Sequence, residues 1–387
     1  MKNHLLLSIP LALIPLATHA QGPDYSAPGP WGYDSLFCDI PGDGEIMTSS
    51  IVYFPWEAGS VPPAAGQCPV VAFGHGWNLS IDHYYSYCRH FASWGYVVVL
   101  PTISNPLFNP EHDRRANCLV MSARYASSLG GQSGHVLENR IDRDNWSLVG
   151  HSMGGSLSIL AADLFGPGLG DTLRAAVSYS GPQSDPECSG AGVLVPKLIL
   201  EGTEDGIVPW EDVQSQVWAD MPAPGAFAVI DGASHCYFMD YSTWLEELFD
   251  GDPTISRAAQ QEIARLYTTA LLERFQHDDT SEWNFQFCYG DSLENDPAMY
   301  LVDIRWEPSG CTPDESCSAL RVLPNPFSVS CEILGEPGSA VIVDLTGRVV
   351  ASLSIPGQWT PGIELSSGVY CVVPRNGRPA ARLMIVR

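Results

Sequence analysis

Basic residues are scarce in this chain: 19 Lys and Arg stand against 44 Asp and Glu over 387 positions, a formal net charge of −25. Nucleic acids and anionic membranes are recognised through clustered positive charge, so neither is expected as a partner. Long apolar runs are missing too. Residues 5–16 are largely apolar but are broken by Pro10 and Pro15, and the stretch is shorter than the roughly 20 residues a bilayer span requires. No later stretch approaches that length, so no stable membrane insertion is expected. No two cysteines stand at C-x-x-C spacing and no H-E-x-x-H occurs, which leaves a zinc site without support.

What is present sets the class. Apolar residues make up 45% of the chain, enough for a sizeable core in one large domain with a small second one. Lys2, the apolar residues 5–16 and Thr18-His19-Ala20 read as a secretory signal (residues 1–20) cleaved after Ala20. The expected mature protein is soluble and secreted. Eleven cysteines in an exported chain predict several disulfides with one thiol left over. Cys311 and Cys317 are close enough to staple a short loop, and Cys331 and Cys371 could brace the C-terminal region.

Regular patterning begins near Pro69. Short β-branched or apolar runs at residues 50–54, 70–73, 96–100, 146–149, 175–179, 197–200 and 227–230 read as strands. Helical patterns cover about 84–93, 117–128, 155–165 and 254–275. This alternation predicts an α/β fold, a mostly parallel sheet flanked by helices, over residues 21–305. Residues 306–318 are a Pro, Ser and Cys-rich linker. Residues 319–387 show only short alternating runs and turns, as expected of a small antiparallel β-sandwich.

Gly150-His151-Ser152-Met153-Gly154 matches the G-x-S-x-G turn that lifts a nucleophilic serine between a strand and a helix. The chemistry demands a base and an acid later in the chain, in the order acid then base. Only His235 and His277 lie downstream of Ser152. His277 sits in a polar His-Asp-Asp run and reads as a solvated residue, whereas His235 follows the strand at 227–230 directly. Asp205 follows the strand at 197–200 and is the best placed acid, with Glu204 and Glu201 as rivals. Phe73-Gly74-His75-Gly76-Trp77 ends the first core strand, where a loop would supply one oxyanion donor from Trp77; Met153 would supply the other. Trp77, His151 and Trp210 are the candidate substrate contacts.

Phe73-Gly74-His75-Gly76, Gly150-His151-Ser152-Met153-Gly154-Gly155, Asp205-Gly206-Ile207-Val208-Pro209 and Gly232-Ala233-Ser234-His235 together resemble serine esterases of the α/β-hydrolase superfamily. The group includes platelet-activating-factor acetylhydrolase, chlorophyllase, dienelactone hydrolase and bacterial polyester hydrolases. The resemblance spans about residues 45–290. It implies ester hydrolysis by a Ser152–His235–Asp205 triad without a metal or organic cofactor, on a small or polymeric ester. Polyester hydrolases of this group carry a tryptophan after the strand that follows the elbow; here Ser180-Gly181-Pro182-Gln183-Ser184 stands instead, although Trp77 and Trp210 could still form an apolar slot. Amidase or peptidase action on the same triad, or a non-catalytic surface binding role, are the competing readings. Leu323-Pro324-Asn325-Pro326-Phe327, Asp344-Leu345-Thr346-Gly347-Arg348, Leu365-Ser366-Ser367-Gly368-Val369-Tyr370 and Met384-Ile385-Val386-Arg387 resemble a C-terminal sorting domain of the type IX secretion system. That likeness implies export through the periplasm to the cell surface or medium, with the secretion machinery as partner.

Overall fold

The apolar runs become strands because only a sheet covered on both faces can bury every residue of such a run. The computed structural model describes residues 22–40, 47–62, 65–103, 110–306, 321–323, 330–344, 349–362, 365, 368–374 and 381–385. The expected signal segment, nearly all of the linker and Cys311 and Cys317 lie outside the described residues. The chain divides into two compact units, Met1–Trp306 and Glu307–Arg387.

In the first unit β1 (Tyr33–Cys38), β2 (Met47–Pro55), β3 (Cys68–Gly74), β4 (Val97–Ile103), β5 (Ile141–His151), β6 (Leu173–Tyr179), β7 (Lys197–Gly202), β8 (Gly225–Ile230) and β9 (Met299–Arg305) form one sheet. Its order is β1-β2-β4-β3-β5-β6-β7-β8-β9. The central strands from β4 to β8 in that order are parallel, and β1, β2 and β9 pair antiparallel at the margins. This is the α/β-hydrolase fold expected from the alternation. Alternate residues of β3 serve opposite cores: Val70 and Ala72 pack with Leu119, Leu157 and Leu160, whereas Val71 and Phe73 pack with Phe91, Tyr179 and Leu271. Helices α2 (His112–Leu129) and α3 (Met153–Leu169) cover the first face. Helices α1 (Tyr85–Ser93) and, later in the chain, the long helix Arg257–Gln276 cover the second. That long helix begins at Ser256, whose side chain accepts the Ala259 N–H at 3.2 Å, so an N-cap sets its start three residues later than periodicity alone suggests.

Strands β1 and β9 carry little sequence signal. Each is a sheet edge, with no fully buried position in either, so neither needs the apolar alternation that marks a buried strand.

In the second unit, described by itself, β10 (Arg321–Leu323), β11 (Cys331–Asp344), β12 (Val349–Trp359), β13 (Gly368–Pro374) and β14 (Ala381–Ile385) are antiparallel. Among the described residues they form one five-stranded sheet, where two packed sheets were expected. Its core holds Ile333, Ala340, Ile342, Trp359 and Val372.

The disulfide expectation needs correcting. Cys38, Cys68, Cys88, Cys118, Cys188, Cys236, Cys288 and Cys331 form no disulfide, which removes the Cys331–Cys371 brace. Most are buried among apolar side chains and act as small hydrophobes. Burial pushes the Cys68 thiol up to about 12 and those of Cys188 and Cys331 to about 11, so these thiols stay protonated and unreactive.

The first turn of α3 lies backbone to backbone against the end of β3. A Cβ on Gly154 would stand 2.0 Å from the Gly74 carbonyl oxygen, and one on Gly150 would stand 2.3 Å from the Gly154 carbonyl carbon. Gly154→Ala must push α3 off the sheet. We expect it to destabilise the fold by about 3 kcal/mol, read as a lower denaturation midpoint in urea.

Candidate active site

Where β5 gives way to α3, Ser152 sits at φ 55° and ψ −124°, a strained backbone state for any residue with a Cβ. The turn is held on both sides: the Ser152 N–H donates to the Tyr179 carbonyl of β6 at 2.8 Å, and the Ser152 carbonyl accepts the Ser156 N–H at 3.0 Å. The loop leaving β3 passes beside it. A Cβ on Gly76 would lie 3.4 Å from Ser152 Cβ, so glycine there lets the backbone approach. The next residue, Trp77, is 48% exposed. Neither the Trp77 N–H nor the Met153 N–H finds an acceptor among the described residues. Met153 opens α3, and the first N–H groups of a helix have no intrahelical partner.

Three buried rings shape that loop. His75 donates from Nδ1 to the Gly76 carbonyl at 2.8 Å, because its Nε2 accepts the Ile103 N–H at 2.9 Å. Burial lowers its pKa, so the ring is neutral. The Tyr84 hydroxyl accepts the Gly76 N–H at 3.0 Å and donates to His151 Nδ1 at 2.8 Å. One oxygen thus ties the loop after β3 to the elbow. Burial first, and then the His235 ring, hold the His151 pKa well below its usual value. His151 was expected to face substrate, and that reading is corrected: its ring is fully buried, packed between Tyr84, His235 and Phe238. Its Nε2 interacts loosely with the His235 carbonyl without reaching hydrogen-bond geometry.

His235 and Asp205 meet as the sequence order suggested. His235 Nδ1 lies 2.8 Å from Asp205 Oδ2, with the side chains 6% and 0% exposed. The other Asp205 oxygen accepts the Ile207 and Val208 N–H groups at 2.9 and 2.7 Å. Glu204 and Glu201 make no contact with His235: Glu204 turns toward Thr203. His277 is exposed and bonded to Glu273 at 2.9 Å. Trp210 is half-buried against Tyr300, ring centroids 5.8 Å apart, and no contact joins it to Trp77 among the described residues.

Asp250 is a residue the sequence did not reveal. Its carboxylate accepts the N–H groups of Gly206 at 3.2 Å, His235 at 3.1 Å and Cys236 at 2.7 Å. It therefore clamps the acid loop to the histidine loop. Nothing local marks it, because it stands in a run of surface acids 15 residues after His235.

A family model described as PETase, PET hydrolase-like, matches residues 47–298. The chain belongs to the PET hydrolase-like family. Among curated proteins, none matches it significantly. Membership makes it an ester hydrolase of the serine-hydrolase type within the α/β-hydrolase superfamily, and the matched segment contains every candidate residue named above.

In this PET hydrolase-like domain, β7 carries a further buried acid. Glu201 is fully buried; neither carboxyl oxygen has a partner among the described residues, and Ser180 Oγ faces it without reaching hydrogen-bond geometry. Burial, and then the charge of Asp205, raise its pKa well above the ordinary 4.5. The folded protein thus holds a proton that the unfolded chain releases above that pH, so Glu201 costs stability as pH rises. Relative to Glu201→Gln, the wild type should lose up to about 1.4 kcal/mol per pH unit above 4.5 until the folded group ionises. Urea melts of both proteins from pH 4 to pH 8 check this; a constant gap would mean that Glu201 titrates normally.

Tyr84→Phe leaves the Gly76 N–H and His151 Nδ1 unpaired in a buried site. A loss of about 2 kcal/mol in stability is expected, together with a fall in kcat at little-changed KM, since the loop that carries Trp77 loses its anchor. Thermal denaturation and steady-state kinetics on a soluble ester separate the two effects.

Proposed function

We propose that this chain is a secreted carboxylic-ester hydrolase in which Ser152 is the nucleophile, His235 the base and Asp205 the orienting acid. The observation that carries the reading is the buried His235–Asp205 hydrogen bond of 2.8 Å, formed by two loops at the same end of the sheet as the Ser152 elbow. With Nδ1 engaged by Asp205, the ring keeps Nε2 free to take the hydroxyl proton. Ser152 Oγ attacks the ester carbonyl carbon as His235 accepts that proton. The oxyanion receives hydrogen bonds from the free N–H groups of Trp77 and Met153, each worth about 3 kcal/mol of barrier. The tetrahedral adduct expels the alcohol, protonated by His235, and leaves an acyl-serine. Water, deprotonated by the same ring, then releases the acid.

The Gly-Pro segment that stands where related polyester hydrolases carry a tryptophan packs onto α3. A Cβ on Gly181 would stand 2.7 Å from the Ser156 nitrogen, and Ser156 bonds the Pro182 carbonyl. An aliphatic polyester or a smaller ester therefore fits the reading better than an aromatic polymer. Export by a cleaved signal and a type IX sorting domain completes it, supported by the sequence patterns at the two ends.

Purified protein should hydrolyse short p-nitrophenyl esters, and Ser152→Ala should lower kcat by about 10⁴-fold or more with an unchanged circular dichroism spectrum. Full activity in that variant would overturn the assignment.

A further inference from the structure

Residues 239–251, between the histidine loop and the long helix Arg257–Gln276, are braced by inward polar contacts and expose four large apolar side chains. Asp240 accepts the Ser86 N–H at 2.8 Å, and its own N–H donates to the His83 carbonyl at 2.7 Å. Tyr241 stacks on His83, centroids 4.2 Å apart, and donates to Asp82 at 2.6 Å. Glu246 lies 3.4 Å from His83 Nε2, Glu247 pairs with Arg257 at 3.1 Å, and Asp250 holds four backbone N–H groups. Against this bracing, Trp244 and Phe249 are each 75% exposed, Leu245 58% and Leu248 57%. Of the fourteen large apolar side chains exposed among the described residues, seven lie on the loops that carry Trp77 and Asp205 or on the segment that follows the His235 loop. A scatter of ordinary surface apolar residues would not gather there.

We propose that Trp244, Leu245, Leu248 and Phe249 form an adsorption ridge that docks the enzyme onto the surface of a solid, uncharged polyester. The ridge runs directly into the His235 loop, and Ile207 of the Asp205 loop stands beside it: a Cβ on Gly206 would lie 2.9 Å from the Phe249 carbonyl oxygen. The inference rests on the ester-hydrolase reading for its substrate. Charge selects the occupant. Residues 240–252 hold Asp240, Glu246, Glu247, Asp250 and Asp252 with no Lys or Arg, in a chain of net charge −25. An anionic bilayer or a second copy of the chain is repelled by such a surface, whereas an uncharged polymer is not. A small soluble ester would need no apolar surface outside the cleft, and exposing one to water costs about 25 cal/mol per Å².

The test measures adsorption of the Ser152→Ala protein to polycaprolactone particles, which needs no catalysis and so stands apart from the triad assignment. Adding Trp244→Ser and Phe249→Ser to that background should weaken adsorption by roughly tenfold. Leu194→Ser, which removes another exposed leucine at the opposite end of β7 from the Asp205 loop, should leave it unchanged. In the active protein the Trp244→Ser/Phe249→Ser pair should slow polymer hydrolysis by a similar factor while kcat/KM on p-nitrophenyl butyrate stays within about twofold. Unaltered adsorption in the double variant, or an equal loss with Leu194→Ser, would overturn the ridge. So would tighter binding to phosphatidylcholine vesicles than to the polymer. Absence of soluble-ester hydrolysis with adsorption lost as predicted would instead overturn the hydrolase reading and leave the ridge standing.

Discussion

The contact on which the catalytic unit depends is the one between two glycines, Gly74 at the end of β3 and Gly154 in the first turn of α3. Side-chain atoms on either would meet backbone at under 3 Å, so neither strand nor helix could hold its place with a larger residue. Because they touch, the loop leaving β3 runs beside the turn that lifts Ser152. Parallel pairing extends the alignment: Gly74 registers with Gly150, and Gly150 with Ser178. The ends of three neighbouring strands therefore lie level, and each sends a loop to the same edge of the sheet.

Beneath that edge lies a layer of buried polar groups kept neutral. His75 and His151 lose their charge to burial, and Glu201 keeps its proton for the same reason. The Asp205–His235 hydrogen bond is set above this layer, with two further backbone donors on the acid. An unpaired charge is costly in such surroundings, so neutrality of these supporting groups spares the layer that cost. The Tyr84 hydroxyl spans the layer from Gly76 to His151. Asp250 does similar work from the side of the acid and histidine loops.

Much of this is legible in the sequence. The β-branched runs marked every strand that is buried on both faces, because period and burial go together there, while the edge strands β1 and β9 were invisible for want of burial. The placement of Ser152, Asp205 and His235 just after strands, and the pairing of the last two, were legible through order and position. Cysteine chemistry was misread: counting thiols in a chain with an export-like start suggested cross-links, but eight of them form no disulfide, and most of these are buried. His151 was misjudged because adjacency to Ser152 in sequence says nothing about which side of the turn its ring takes. Asp250 and Tyr84 had no signal at all, since their partners lie 15 or more residues away in His235 and His151.

The sequence by itself determined the fold class, the strand-turn-helix that presents Ser152, and the positions of Asp205 and His235 after successive strands, since periodicity and glycine placement are local properties. Tertiary structure alone decided between Asp205 and its rivals Glu204 and Glu201 as the partner of His235, that the His151 ring is buried, and that Trp244 and Phe249 face water. Those outcomes depend on which loops press together across the sheet, and a linear pattern carries no information about contacts between segments that meet only after folding.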